Sequence, residues 1–118
     1  MNKKISNFLK IKIEINKNFN IGPGKISLLE SIITNGSISS AAKEMGMSYR
    51  KAWKLVKEIN DASSKKIIIT NTGGKGVGGT KISYNGILFI KAFRSIEKKT
   101  FKAAINEQKY LYQLFTKK

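Results

Sequence analysis

Between Ser37 and Asn60 the chain reads Ser-Ile-Ser-Ser-Ala-Ala-Lys-Glu-Met-Gly-Met-Ser-Tyr-Arg-Lys-Ala-Trp-Lys-Leu-Val-Lys-Glu-Ile-Asn, and few folds suit such a stretch. A serine hydroxyl just before a helix accepts a hydrogen bond from one of the unpaired amides of the first turn, so the spacing predicts N-caps at Ser39 and Ser48. Gly46, between the two segments, allows a tight turn, while Ala41 and Ala42 are small enough for the second helix to cross the first closely. The expectation is a helix-turn-helix. In its second helix Ala52, Trp53, Val56 and Ile59 recur at helical spacing and predict a buried stripe, leaving Arg50, Lys51, Lys54 and Lys57 on the outward side.

The flanking segments suit that centre. From Leu9 to Ile15 apolar and polar residues alternate at every step, the pattern of a half-buried strand. Ile21-Gly22-Pro23-Gly24 breaks the chain, after which Ile26, Leu29, Ile32 and Ile33 space out a supporting helix that stops near Asn35-Gly36. Beyond Asn60, the three isoleucines within Lys66 to Asn71 and a segment beginning near Thr80 predict two strands. They flank Thr72-Gly-Gly-Lys-Gly-Val-Gly-Gly, a stretch with too few side chains to be core, so a projecting hairpin, or wing, is expected. From Tyr84 onward the sequence reads as one long helix, uninterrupted by proline, with Ile90, Phe93, Phe101, Ala104, Leu111 and Phe115 near a common stripe. The predicted fold is α+β, mainly α: a winged helix-turn-helix with a long C-terminal dimerisation helix. It forms a single domain over residues 1–118, divided into an N-terminal segment with a strand (1–20), the winged helix-turn-helix (21–83) and the long helix (84–118).

Charge narrows the function classes. With 23 basic and 7 acidic residues the formal net charge is +16, a field that favours polyanionic partners. All but two of the basic residues are lysine, the exceptions being Arg50 and Arg94, and isoleucine and asparagine are also abundant. Such usage is what an A/T-rich coding bias would produce, which lowers the weight of net charge as an argument. Cysteine and histidine are absent, which removes thiolate nucleophiles, disulfides, ordinary zinc sites and the commonest general base. Glu30, Glu44, Glu58 and Asp61 form no convergent set in the sequence, and Gly79-Thr80-Lys81 has the order of a phosphate-binding Walker loop reversed. No apolar run is long enough to cross a bilayer, and the N-terminus lacks the apolar stretch of a signal peptide. The expectation is a cytoplasmic, nucleoid-associated protein that is not an enzyme, with no cofactor and no metal site.

Taken together, Gly36-Ser-Ile-Ser-Ser-Ala-Ala, Met47-Ser-Tyr-Arg-Lys-Ala-Trp and Thr72-Gly-Gly-Lys-Gly-Val-Gly-Gly resemble the DNA-binding domain of ModE-type, LysR-like molybdenum-dependent transcription regulators. The resemblance runs from about Ile21 to Phe101. It implies that the second helix of the helix-turn-helix enters the DNA major groove and that the chain dimerises partly through the helix after the wing. It also implies DNA-facing roles for Ser39, Ser48, Tyr49, Arg50, Lys51 and Lys54, with Lys75 at the wing tip; Lys57 joins them from its place on the outward face. Full regulators of this kind carry C-terminal domains that bind molybdate between subunits, and no molybdate site is visible in this chain.

The expected function is sequence-specific binding of double-stranded DNA for transcription control; the alternative is an architectural or RNA-binding basic protein without strong sequence preference. Trp53 is expected in the core, while Tyr49 sits at the start of the reading helix. A homodimer through the C-terminal helix follows from length. A continuous helix from Tyr84 to Thr116 spans roughly 50 Å, whereas a compact domain of this size is about 35 Å across. The overhang exposes Phe101, Leu111 and Phe115 unless a second copy covers them.

Overall fold

The computed structural model describes residues 9–71 and 79–116. Its first reversal comes earlier than the glycine-proline break. The side-chain oxygen of Asn16 accepts from the Asn18 amide at 2.9 Å, an Asx turn that folds strand β1 (Ile13–Asn16) onto a second strand, β2 (Phe19–Ile21). The pair is antiparallel, with Ile13 opposite Ile21 and Glu14 opposite Asn20. The predicted alternation holds at Leu9, Ile11 and Ile13, which are half-buried. It fails at Ile15, which is exposed beside an irregularity between Glu14 and Asn16. Strand β2 was not legible in the pattern, and it crosses the boundary expected near residue 20.

Helix α1 (Pro23–Asn35) opens on proline, whose missing amide is no loss at a helix start, and ends at Gly36 in the left-handed conformation (φ 75°), as Asn35-Gly36 predicted. Ile26, Leu29 and Ile32 are buried as expected, but so are Leu28 and Ser31, while Ile33 is exposed. The single-stripe expectation fails because α1 lies at the centre, contacted by α2 (Ile38–Glu44), α4 (Tyr84–Ala103), β2 and β4 (Gly79–Ile82). A helix packed from several sides buries more than one stripe. The cap of α2 is Ser37 rather than Ser39: the Ser37 hydroxyl accepts from the Ser40 amide at 3.0 Å, and Ile38 is already helical and buried. After a turn at Gly46 (φ 68°), helix α3 (Tyr49–Ala62) begins at the predicted cap, with the Ser48 hydroxyl accepting from the Lys51 amide at 3.0 Å.

The wing arms are strands β3 (Ile68–Asn71) and β4, antiparallel with Ile68 opposite Ile82 and Thr70 opposite Thr80. Residues 72–78, including Lys75, lie outside the described residues. Ser83 then joins the wing to α4. Its hydroxyl caps the helix by accepting from the Gly86 amide at 3.0 Å and donates to the Lys66 carbonyl at 2.7 Å.

The long helix is two helices, α4 and α5 (Ile105–Thr116), separated at Ala104 (φ −114°). No proline causes the break. The Thr100 hydroxyl bonds back to the carbonyls of Ile96 (2.8 Å) and Glu97 (3.0 Å), a habit that bends helices. Just past the break, the Gln108 side chain donates to the Phe101 carbonyl at 3.0 Å. The core is formed by Ile21, Ile26, Leu29, Ile32, Val56, Ile59, Ile68 and Phe93 with their neighbours, and none of α5 belongs to it. The molecule is 61 Å long and 28 Å wide with a radius of gyration of 17.0 Å, against about 13.5 Å for a compact chain of this length.

Gly86 marks the tightest joint. A Cβ there would meet Ile82 Cγ2 at 2.5 Å and the Ile67 carbonyl oxygen at 2.9 Å. Alanine gains about 1 kcal/mol over glycine inside a helix, whereas forcing a methyl group into packed structure costs about 1–3 kcal/mol. Both contacts fall under 3.0 Å and one is to backbone, so the cost sits toward the upper end of that range, and Gly86→Ala is expected to lower the urea midpoint by the equivalent of about 1–2 kcal/mol. An unchanged or raised midpoint would show that α4 can move away from the wing at little cost.

Candidate nucleic-acid interface

Ala52, Val56 and Ile59 are buried in α3 and define its inward direction. At about 100° per residue, Arg50, Lys54 and Lys57 fall on the far side, with Lys51 at its flank. All four are exposed. Among the described residues Arg50, Lys51 and Lys54 form no ion pair, and Lys57 pairs with Asp61 at 3.3 Å within the same helix. That pair is largely solvated and is worth only about 0.3–0.5 kcal/mol, so it yields readily to a competing anion. A concavity of about 810 Å³ runs along this surface, lined by Ser48, Arg50, Lys51, Trp53, Lys54, Leu55, Lys57 and Glu58, so one carboxylate sits among the cations.

Ser48, Arg50, Lys51, Lys54 and Lys57 thus share one exposed surface, while Tyr49, exposed at the first position of α3, lies outside the concavity, nearer the direction of Val56. Ser39 lies apart from them, exposed in the first turn of α2, and Lys75 falls outside the described residues. Ser48 already spends an oxygen lone pair on the Lys51 amide, leaving its proton to donate. Tyr49 is 51% exposed. Trp53 corrects the sequence reading: it is 42% exposed and not core. It lies about 100° round the helix from Ala52, while Leu55 occupies the other edge of the buried stripe and is half-buried. The wheel position could have revealed this, because Ala52, Val56 and Ile59 already complete a stripe without it.

The orientation of the two helices rests on polar contacts. The Ser31 hydroxyl, buried in α1, donates to Glu44 Oε1 at the end of α2. The Asn35 amide donates to the same oxygen at 2.8 Å. These bonds, Ser31 first and Asn35 second, hold the Glu44 carboxyl below its ordinary value. Asn60, near the end of α3, takes both amides of Ile67 and Ile68 on its oxygen (3.0 Å each) and donates to the Ile68 carbonyl at 2.9 Å. The Thr80 amide reaches the Gly36 carbonyl at 2.9 Å. Helix α3 is therefore tied to the first wing strand, and the second wing strand to the turn that precedes α2. Nothing local in the sequence singled out Glu44 or Asn60, since their partners lie on other elements.

Arg94 is committed to structure. Its guanidinium forms a two-pronged bond with Glu30 (3.1 and 2.7 Å), meets Glu97 at 2.7 Å and Ser27 at 3.2 Å, and ties α4 to α1. The Glu30 hydrogen bonds favour its charged form above all. Among the described residues no cluster of acidic side chains could hold a metal ion, and no helix is long and apolar enough to cross a membrane.

No protein-family model matches the sequence. Over 67% of its length the chain is 39% identical to the DNA-binding transcriptional dual regulator ModE of Escherichia coli K12. It is 32% identical over 75% of its length to the molybdenum transport protein ModE of Herbaspirillum seropedicae, and 36% identical over 65% to the molybdenum-pterin-binding protein MopB of Rhodobacter capsulatus. It spans about a third of the length of these relatives, 31%, 33% and 28% respectively. Among solved structures, the Staphylococcus aureus MepR–DNA complex superposes with a TM-score of 0.50 at 18% identity, covering 77% of this chain and 76% of that one. The fold is thus a winged helix-turn-helix.

The Glu44 contacts generate a pH dependence of known sign. A carboxyl whose pKa is lowered by folding stabilises the protein above the ordinary value of 4.5 and loses that contribution as pH falls through the lowered one. Glu44→Gln is expected to be less stable than the parent near neutrality, with the gap narrowing as pH drops below 4.5. Urea midpoints measured on both proteins across that range check this; a gap independent of pH would remove the ionised carboxylate from the account.

Proposed function

Because the chain is homologous over about two thirds of its length to ModE-type transcription regulators, we propose that it binds double-stranded DNA in a sequence-specific manner and regulates transcription, acting in the cytoplasm at the nucleoid. The observation that carries this reading is the exposed cationic arc of α3, on which Arg50, Lys51 and Lys54 have no acidic partner among the described residues. The second helix of a helix-turn-helix is the element that fits the major groove. Lysine contacts to phosphate supply affinity through counterion release, and base edges set the sequence. In this reading Arg50 reaches a guanine edge with its forked donors, Ser48, Tyr49 and Lys51 lie beside it, and Lys54, Lys57 and Ser39 serve the backbone, with Lys75 of the wing. The whole works as one domain.

The assembly is a homodimer joined through the C-terminal helices. Helix α5 buries none of its residues, and Leu111 and Phe115 are 61% and 82% exposed. Apolar surface of that extent calls for cover, and the same helix of a second copy supplies it. A two-fold dimer presents two reading helices, which suits half-sites about 34 Å apart, one turn of duplex.

Selection of bound duplexes from a random pool tests the reading. The expected result is enrichment of a palindrome with half-sites one helical turn apart; a pool that stays unenriched while the protein is bound to it would sink sequence-specific regulation. On the enriched duplex Arg50→Ala is expected to cost about 1–3 kcal/mol, and far less on random duplex. Equal losses on both, in a filter-binding or anisotropy titration, would reassign Arg50 to a phosphate.

A further inference from the structure

Trp53 is the single tryptophan of the chain, and the fold leaves it on the outside. A lone exposed apolar side chain is ordinary. This one is not alone. Tyr49, four residues earlier, is 51% exposed, and the i, i+4 spacing puts the two at neighbouring positions of α3, with Arg50 and Lys57 on the outward side of Trp53. The core does not account for the indole, because Ala52, Val56 and Ile59 complete the buried stripe.

The cations around it suit phosphate, but an indole adds little to attraction for an anion. What it can recognise is an apolar group lying within a strongly anionic surface. Among the base edges exposed in the major groove, the group of that kind is the C5 methyl of thymine. The charge on Arg50, Lys54 and Lys57 brings the duplex to the helix, and the concavity they line includes the indole. We propose that Trp53 is a specificity-determining residue that packs against thymine methyl groups in the major groove, with Tyr49 beside it. The inference rests on the reading of α3 as the helix that enters duplex DNA.

The test uses the full chain and the duplex enriched from the random pool, with each thymine replaced in turn by uracil, which removes the methyl and leaves the hydrogen-bonding edge intact. For the parent protein, at one or two positions per half-site, the affinity is expected to fall about fourfold per methyl, the ratio that corresponds to burying one carbon. Trp53→Ala is expected to bind the thymine and uracil duplexes equally well, with an unchanged far-ultraviolet circular dichroism spectrum. As the sole indole, Trp53 also reports directly, and its emission is expected to shift when the thymine duplex saturates the protein. Loss of the uracil penalty in Trp53→Ala together with the emission shift supports the assignment. A penalty that survives in Trp53→Ala, a parent protein indifferent to uracil, or an emission spectrum unmoved by saturating duplex overturns it while leaving DNA binding intact. Failure of the parent protein to bind any duplex removes the DNA reading itself, and this inference with it.

Discussion

Ala52, Val56 and Ile59 are the residues by which α3 is held, packed against α2 and β2. So narrow a stripe leaves most of the circumference of the helix in solvent. Two of its three members are small or short, which brings the backbone of α3 close to α2, where Ala41 and Ala42 are equally small. A close crossing between helices leaves little room for rotation, because any turn about the axis brings a larger side chain into the gap. The outward arc of cations and aromatics is thus aimed by alanines on the opposite side.

Packing sets the distance between the helices; hydrogen bonds tie the elements around them together. Glu44 is bonded to α1 through Ser31 and Asn35, and Asn60 clamps the end of α3 to the first wing strand. Thr80 bonds the second wing strand to the carbonyl of Gly36, next to the start of α2. The first two sets join consecutive elements, α1 with α2 and α3 with β3, and the Thr80 bond closes the second wing strand onto the distant turn at Gly36. Helix α3 and the wing strands tied in this way are held in one fixed arrangement.

The two arginines divide the labour between structure and surface. Arg94 is enclosed by Glu30, Glu97 and Ser27 and fixes α4 across α1. Arg50 stands on the outer side of α3 with no acidic partner among the described residues. Because α4 is anchored by Arg94 and by the buried Ile90 and Phe93, α5 is carried outward from the core beyond the break at Ala104. This gives the molecule its 61 Å length.

The features legible in the sequence were those whose cause is local. Ser48 caps α3 because the amide it accepts lies three residues on, Gly36 ends α1 because its own backbone needs a positive φ, and the two wing strands pair as neighbours along the chain. The helix-turn-helix, the supporting helix and the wing arms could therefore be read from spacing alone. The tertiary structure decided what depends on neighbours distant in sequence. Trp53 is outside because Ala52, Val56 and Ile59 meet α2 and β2 on another side. Leu28 is inside because α1 is surrounded. Strand β2 is the exception, a local feature that the alternation did not reveal, since the Asx turn at Asn16 folds the chain back within two residues. Helical periodicity states that one side of a helix is buried; which sector that is, and how wide, is settled by the shape of what packs against it.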